Sequence, residues 1–467
     1  MTERQALSAA FINSLQQHVG SQHVLTDVAD CLAYGYDNSK IQDLPQAVVL
    51  PDSEAQVAAV VSLCHQHGVA LTARGRGTGT TGATVPDHGG VVLSFERMNR
   101  ILEIDVDNRL ARVEPGVLNQ TLQNALAEKG FFWAPDPTSA ANCTIGGNLA
   151  YNSAGPRAVK YGTPRENTLG LTAVDGIGRK FQTGVKTTKG VVGFDLTRLL
   201  IGSEGTLAVI TEATLKITPL AEARRTMQAS FASVNAAARA VSAIMAQPAI
   251  PCALEIMDEA AINMVRKYSD LGLAENIKAI LMIEADGSEN SLAYQVAAIQ
   301  QACGVDGLLS FDIARDQATV ERLWKTRKAL SPALRTIAPQ KINEDVVVPV
   351  SHIPELIEGL QKISDQYQIL IVNFGHAGNG NIHVNMLMDP DNPVHQANSD
   401  ACLKAIFSLV LSLGGTLSGE HGIGLVKKDY IGMELDETAV SLMYAIKRQF
   451  DPKGILNPGK SLPSQNI

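Results

Sequence analysis

Two histidine-containing segments hold the side chains whose types and spacing could carry chemistry in this 467-residue sequence. In FGHAGNGNIHVNM, His376 and His383 stand on either side of the loop Gly378 to Asn381, and in SGEHGIG, Glu420 and His421 are adjacent. Two imidazoles and a carboxylate are a common ligand set for a catalytic zinc ion with an open fourth position. A lone histidine on an apolar element is more often a packed core residue. Spacing alone therefore leaves both a metal site and a core role open.

The elements that must position the first two histidines are a pair of strands. QILIVNF and NIHVNML have the composition of β-strands, and the residues between them are turn formers, which predicts a β-turn-β unit. His376 then ends one strand, and the alternation of side chains places His383 and Asn385 on one face of the next. The two imidazoles and the amide are expected to converge on one side of the hairpin.

Bulk properties exclude several classes of protein. A chain of this length is expected to form two or three domains. The formal net charge of −8 argues against a protein that binds the phosphate backbone of nucleic acids. The N-terminus does not resemble a secretory signal and no apolar run is long enough to span a membrane, so we expect a cytoplasmic protein, with a peripheral position at the inner face of the membrane left open.

The composition of the chain changes twice along its length. Residues up to Pro219 alternate short β-rich runs with glycine, proline and asparagine, whereas alanine-rich helical stretches alternate with strands beyond it. The six cysteines are scattered without a CxxC pair, so neither a disulfide framework nor a thiolate metal site is expected. We predict domains at residues 1–219 and 220–415 and a C-terminal segment at 416–467.

A glycine-rich loop follows the first predicted strand. ARGRGTGTTG contains Gly77, Gly79 and Gly82 in the GxGxxG register that is typical of a dinucleotide-binding Rossmann turn. That motif requires a helix directly after the loop, and Pro86 disfavours one there. Backbone N–H groups can still hold phosphate without a helix. A turn that merely tolerates positive φ is the alternative.

Three further segments follow the glycine loop: PDPTSAANCTIGGNLAYNSAGPRAVKYGTPRENTLGL, IGSEGTLAVITEATLKI and DPKGILNPGK. The first is rich in small residues and turn formers, as expected where backbone lies against a flat ligand. In this order the four segments resemble the FAD-binding domain of the vanillyl-alcohol-oxidase type flavoproteins, the PCMH-type fold, over nearly the whole chain. The resemblance implies an α+β protein, in which a PCMH-type FAD-binding domain is joined to an α+β substrate or cap domain with an antiparallel sheet.

The same resemblance implies bound FAD. Some members of the family attach FAD through a histidine in the first loop, and this loop has none, so noncovalent FAD is expected. The residues that match flavin-binding positions are Arg74, Gly75, Arg76, Gly77, Thr78, Gly79, Pro137, Thr144, Gly147, Asn148, Gly202, Glu204, Gly205, Ile210 and Asn457.

GHAGNGNIHVN and GEHGIG together resemble motifs of the D-2-hydroxyacid dehydrogenases, the branch with the D-lactate, D-2-hydroxyglutarate and glycolate enzymes. The resemblance implies that His376, His383 and Glu420 ligate a divalent metal, Zn²⁺ first and Mn²⁺ or Co²⁺ as alternatives. It also implies that His421 is the catalytic base and Asn385 a substrate contact. A metal lowers the pKa of a bound hydroxyl, an imidazole can take its proton, and FAD can accept the hydride.

The resemblance further implies substrate contacts at Arg327 and Ser331. An arginine fork suits a carboxylate, although a solvated helix face is an alternative environment for Arg327. Hydroxyglutarate enzymes have a lysine two residues before the aspartate of a D-x-x-x-P strand, and here that position is Asn343. This difference favours D-lactate over a diacid.

Several alternatives stay open at this stage. D-2-hydroxyglutarate or D-malate could be the substrate, and the chain could be the FAD subunit of a glycolate oxidase or a non-catalytic flavin-binding subunit. In another class, it could be a zinc hydrolase with a purely structural glycine loop. The expected partners are a small D-2-hydroxy acid and an electron acceptor, which could be a quinone, an electron-transfer flavoprotein or a cytochrome. A homodimer is left open.

Overall fold

The computed structural model describes residues 6–268, 273–321, 323, 324, 330, 334 and 339–463. The chain divides into two compact units. The first comprises Met1–Gly155, Gly162–Leu220 and Glu420–Ile467, and the second comprises Pro156–Tyr161 and Ala221–Gly419. The boundaries predicted from the sequence, at residues 219 and 415, lie close to these. The prediction treated the C-terminal segment as a separate part, whereas the structure includes it, from Glu420 onward, in the first unit.

Local contacts explain where these divisions fall. Thr416 forms a β-bridge with Val347, and the Gly419 N–H donates to the Asp345 carboxylate over 2.9 Å, so the chain follows the second unit as far as Gly419. The short Pro156–Tyr161 segment belongs to the second unit because Lys160 and Tyr161 both bond to the Asp286 carboxylate.

The first unit contains two larger sheets and a two-stranded pair. Its four-stranded sheet has the order Val24–Leu25, Ala47–Val49, Val91–Ser94 and Leu71–Arg74, with parallel pairing among the last three strands. Its five-stranded antiparallel sheet has the order Ile101–Asp105, Leu110–Val113, Ala208–Lys216, Thr168–Asp175 and Lys180–Gly184. Thr218–Pro219 pairs with Phe131–Phe132.

The helices of the first unit pack by apolar faces. In Glu54–His67 the buried residues Val57, Val60, Val61 and Cys64 follow helical spacing, and the helix ends at Gly68, whose φ is +65°. The remaining α-helices of this unit in the described part of the chain are Ala9–Val19, Val28–Cys31, Asn119–Ala127, Ile145–Tyr151, Leu196–Leu200, Ile431–Glu434 and Glu437–Phe450.

The second unit is built on one seven-stranded antiparallel sheet. Its order is Leu308–Ile313, Ala223–Phe231, Ala279–Gly287, Ala253–Met257, Leu370–His376, Asn381–Met388 and Gln340–Val347. The α-helices described in this unit are Ala158–Tyr161, Val234–Ala246, Glu259–Tyr268, Glu289–Cys303, Ile353–Tyr367 and Pro393–Ser412. The predicted α+β class is confirmed. Within the described ranges, no helix has the length and apolar character needed to cross a bilayer.

The histidine hairpin predicted from the sequence is present in this sheet. Leu370–His376 and Asn381–Met388 pair directly, with Phe374 opposite His383 and His376 opposite Asn381. A 3₁₀ turn, Ala377–Asn379, joins them, and Gly380 closes it at φ +72°. Every residue of Asn381–Met388 is buried, so its polar side chains lie inside the protein.

We predict that Gly380→Ala destabilises the protein more than Gly414→Ala. Both glycines have nearly the same positive φ, +72° and +73°, but a Cβ at Gly380 would lie 1.9 Å from the Val348 carbonyl oxygen, whereas one at Gly414 meets nothing within 4 Å. The left-handed backbone costs each alanine about 1–2 kcal/mol, and the clash adds about 1–3 kcal/mol at Gly380. Urea unfolding followed by near-ultraviolet circular dichroism measures both variants, and equal midpoints would contradict the clash.

Candidate functional site

The first unit contains a pocket with walls of small residues and backbone. Eight of its eighteen lining residues are glycine or alanine. The lining residues are Ala73, Arg74, Gly75, Ala83, Thr84, Phe95, Pro115, Thr144, Gly146, Gly147, Ala150, Tyr151, Ser203, Glu204, Gly205, Ala208, Val209 and Ile210. Such walls allow a flat ligand to approach the backbone closely.

The structure places the predicted flavin-binding residues in two groups. Those that line the pocket are Arg74, Gly75, Thr144, Gly147, Glu204, Gly205 and Ile210. Those that are not among its lining residues are Arg76, Gly77, Thr78, Gly79, Pro137, Asn148, Gly202 and Asn457. The second group therefore does not form the pocket wall, although several of its members support that wall.

The glycines of the first loop pack against side chains at the pocket. A Cβ on Gly75 would lie 2.3 Å from Thr144 Oγ1, and one on Gly79 would lie 2.5 Å from the Tyr151 hydroxyl oxygen. Thr144 caps the helix Ile145–Tyr151 by accepting from the Gly147 N–H at 3.2 Å. Larger residues at either glycine would push these wall residues out of place, which fits a cradle for a bound cofactor.

Arg74 supplies a buried positive charge at this pocket. Its guanidinium donates to the Ala33 carbonyl oxygen at 3.2 Å and to Thr84 Oγ1 at 3.3 Å. Burial lowers the pKa of Arg74, and the nearby Asp37 carboxylate partly offsets that effect. An arginine keeps its charge under these conditions, so the pocket wall suits an anionic group such as a phosphate.

Two of the residues that do not line the pocket hold its wall together. Asn457 is buried, and its Nδ2 donates to the carbonyl oxygens of Ala83, at 2.8 Å, and Glu204, at 2.6 Å. Asn148 accepts from Asn119 Nδ2 at 3.0 Å. The tail that contains Asn457 is therefore tied to two pocket-lining residues.

Glu204 anchors the segment that carries Glu420 and His421. Its carboxylate accepts from the N–H groups of Ile423, at 2.5 Å, and Gly424, at 2.8 Å. Burial raises the pKa of Glu204, and these hydrogen bonds oppose that rise. Thr81 Oγ1 donates to the His421 carbonyl oxygen at 3.2 Å, so both sides of the segment are fixed.

The two hairpin histidines face each other within the second unit. The rings of His376 and His383 lie 5.2 Å apart, centre to centre, at an interplanar angle of 82°. Both residues are buried. His376 Nδ1 lies 2.5 Å from Oε1 of Glu255, which is 1% exposed. Sequence reasoning missed Glu255, whose only signal is one charged residue in the apolar strand ALEIM.

The three predicted metal-binding residues are two neighbouring histidines of the second unit and a glutamate at the start of the last segment of the first unit. The ring centres of His376 and His383 lie 5.2 Å apart, and Glu420 is the first residue after the boundary at Gly419. Glu420 directly follows Gly419, whose N–H bonds to Asp345, and Asp345 is the register partner of His383. Two imidazoles and a carboxylate are a ligand set that suits a divalent cation of the zinc class.

Two amides lie beside His383 on the same face of the sheet. Asn385 is fully buried, and its Nδ2 donates to the carbonyl oxygens of Val372 and His383. Asn343 stands opposite Asn385 in the strand register. In the described part of the chain, neither amide oxygen has a hydrogen-bond partner. Both are therefore available to accept from a ligand.

Two predicted substrate contacts, Arg327 and Ser331, lie outside the described residues. Sequence reasoning missed Tyr151 and Thr84 at the cofactor pocket. Tyr151 stands in the segment that was singled out for its small residues, where a large side chain gave no signal of its own.

Two family models match this chain. The FAD binding domain matches residues 45–184, and the C-terminal domain of FAD linked oxidases matches residues 220–461.

Curated relatives match over nearly the whole chain. The glycolate oxidase subunit GlcD of Bacillus subtilis is 39% identical over 92% of this chain and 92% of its own length. The mitochondrial D-lactate dehydrogenase [cytochrome] of Arabidopsis thaliana is 34% identical over 91% of this chain and 74% of its own length. The D-lactate dehydrogenase of Archaeoglobus fulgidus is 35% identical over 92% of this chain and 95% of its own length.

Solved structures share the fold at low sequence identity. A p-cresol methylhydroxylase with substrate bound has a TM-score of 0.79 at 17% identity and covers 98% of this chain and 97% of its own. A 4-ethylphenol oxidase from Gulosibacter chungangensis has a TM-score of 0.76 at 20% identity, with the same two coverages. These neighbours confirm the predicted PCMH-type fold. The chain therefore belongs to the FAD-linked oxidases, in the group that contains glycolate oxidase subunits and D-lactate dehydrogenases.

Proposed function

We propose that this protein oxidises a D-2-hydroxy acid, with D-lactate preferred, to the 2-oxo acid, using noncovalent FAD and a divalent metal. The observation that carries the proposal is the pair of buried, facing imidazoles of His376 and His383, whose ring centres lie 5.2 Å apart. Glu420 follows directly on Gly419, whose N–H bonds to Asp345 in the same sheet. Family membership supports the flavin chemistry and leaves the alternative of a zinc hydrolase without support.

The residues of the first unit bind and enclose the cofactor. FAD, when bound, accepts the hydride that leaves the α-carbon of the substrate, a task that no side chain can perform. Gly75 and Thr144 provide a closely packed wall, and Arg74 provides a positive charge for the phosphates. Asn457 keeps that wall closed through its bonds to Ala83 and Glu204.

Three residues would hold the metal, which when bound lowers the pKa of the substrate hydroxyl. His376 is oriented by Glu255, and His383 by its place in a fully buried strand. The Gly155 N–H donates to Glu420 Oε2 at 2.9 Å and so orients the third ligand, which is the only carboxylate of the proposed set. Each of the three side chains is therefore held by a neighbour before any cation binds.

His421 is the proposed base. A neutral imidazole can take the hydroxyl proton near physiological pH. The backbone that follows the His421 side chain is fixed: Thr81 donates to the His421 carbonyl oxygen, and Glu204 accepts from the N–H groups of Ile423 and Gly424. A fixed backbone limits the positions that the ring can reach, as a base aimed at one proton requires.

The substrate is expected to be short and to carry one carboxylate. Arg327 and Ser331, which lie outside the described residues, are proposed to bind that carboxylate, and Asn385 to accept from the substrate. Asn343 beside Asn385 presents a neutral amide where a diacid would need a cation. Relatives named as glycolate oxidase subunits and D-lactate dehydrogenases support monocarboxylic substrates of this size.

The electrons must leave the flavin for an acceptor. A quinone, an electron-transfer flavoprotein and a cytochrome are the proposed classes. The name of the Arabidopsis relative, D-lactate dehydrogenase [cytochrome], favours the cytochrome among them.

The proposed role of His421 is tested by His421→Asn. We expect the variant to retain FAD, while anaerobic reduction of the flavin by D-lactate slows by about 10²- to 10⁴-fold because the base is lost. Stopped-flow absorbance near 450 nm measures the rate. The exposed His18 provides the matched control, and His18→Asn should react like the parent protein. An undiminished rate for His421→Asn would show that another group takes the proton.

The proposed preference for a monocarboxylic acid is tested by Asn343→Lys. The new ammonium group should raise the ratio of kcat/KM for D-2-hydroxyglutarate to that for D-lactate by about tenfold or more, since one charge-assisted bond contributes roughly 1.5–3 kcal/mol. Asn343→Gln serves as the neutral control and should leave the ratio unchanged. If the lysine variant does not favour the diacid, Asn343 does not face the substrate.

A further inference from the structure

We propose that Glu255 is a positioning residue of the metal site, which fixes His376 with Nε2 directed to the cation. This inference rests on the proposed function, since it concerns the same three ligands. It adds a fourth residue, which bonds to His376.

The geometry places Glu255 directly beside the first histidine. Strand Ala253–Met257 pairs with strand Leu370–His376, with Met257 opposite Phe374 and Ile256 opposite Gly375. Continuing this antiparallel register by one residue sets Glu255 beside His376. The Oε1–Nδ1 distance of 2.5 Å shows that the two side chains meet as well as the backbones.

The burial of this carboxylate needs an explanation. Glu255 is 1% exposed in a strand whose other residues are Ala253, Leu254, Ile256 and Met257. A buried carboxylate costs several kcal/mol unless it is paired, so an apolar residue would serve the sheet better if stability were the only requirement. The presence of a charge there indicates that it serves the histidine.

Other buried carboxylates of the same sheet have donors away from the histidines. Glu284 accepts from Thr226 Oγ1 at 3.0 Å and from Trp324 Nε1 at 2.9 Å. Asp286 accepts from Lys160 and Tyr161. Glu255 differs from both because its bond ends on a predicted metal ligand.

The chemistry of imidazole explains the advantage. A ring nitrogen binds a metal only when it carries no proton, and the tautomer is set by the hydrogen bond at the other nitrogen. A carboxylate at Nδ1 holds the proton there, leaves Nε2 as the ligand atom, and restricts rotation of the ring. The His376 ring is then held in a defined orientation relative to the His383 ring, whose centre lies 5.2 Å away and whose plane is nearly perpendicular.

The inference is tested by measuring zinc affinity on the purified FAD-containing protein, with Glu255→Gln as the variant. Competition with a chromophoric chelator should show zinc binding weakened by about 10- to 100-fold, the usual cost of losing such an outer-shell partner. FAD content and the near-ultraviolet circular dichroism spectrum should stay unchanged. Glu284→Gln removes a buried carboxylate from the adjacent strand and should bind zinc like the parent protein.

The outcomes separate this inference from the function on which it rests. A parent protein that binds no zinc would overturn the metal site itself. A parent that binds zinc and a Glu255→Gln variant that binds it equally well would overturn only the role of Glu255. If Glu255→Gln loses FAD or its folded spectrum, Glu255→Asp is measured instead, since it keeps the charge and shortens the reach by one methylene group. It should weaken zinc binding several-fold, and unchanged affinity would overturn the role.

Discussion

The constraint on which the rest depends is the burial of polar side chains within the seven-stranded sheet. Every residue of Asn381–Met388 is buried, yet this strand carries His383 and Asn385. Buried polar groups are costly unless they are paired, and Asn385 pairs its Nδ2 with the carbonyl oxygens of Val372 and His383. Glu255 bonds to His376, and Asp345 bonds to the Gly419 N–H just before Glu420. Long-range strand pairing thus orients the ligands before any cation is bound.

The flavin pocket depends instead on the close packing of glycine backbone against its neighbours. Gly75 and Gly79 pack so closely against Thr144 and Tyr151 that a Cβ would lie within about 2.5 Å of their oxygen atoms. Asn457, at the far end of the chain, bonds to Ala83 and Glu204 and thereby closes the same wall. The pocket is consequently a product of distant segments, and the glycine loop is only one of them.

The sequence predicted the features that depend on local patterns. Alternation in NIHVNML predicted the hairpin and placed His383 and Asn385 on one face, because the period of a strand is visible in a few residues. It could not show that Glu255 bonds to His376, since that pairing joins residues 121 positions apart through a strand register. Gly77 and Asn148 also matched the family pattern, although neither is among the residues that line the pocket. Similarity to a motif identifies a segment more reliably than it identifies which of its atoms face the ligand.

The most direct test of the metal site is anomalous scattering from crystals grown with zinc, recorded on both sides of the zinc absorption edge. We expect one strong peak about 2.0–2.2 Å from an imidazole nitrogen of His376, an imidazole nitrogen of His383 and a carboxylate oxygen of Glu420. A map with no peak there, or with these three side chains pointing apart, would contradict it.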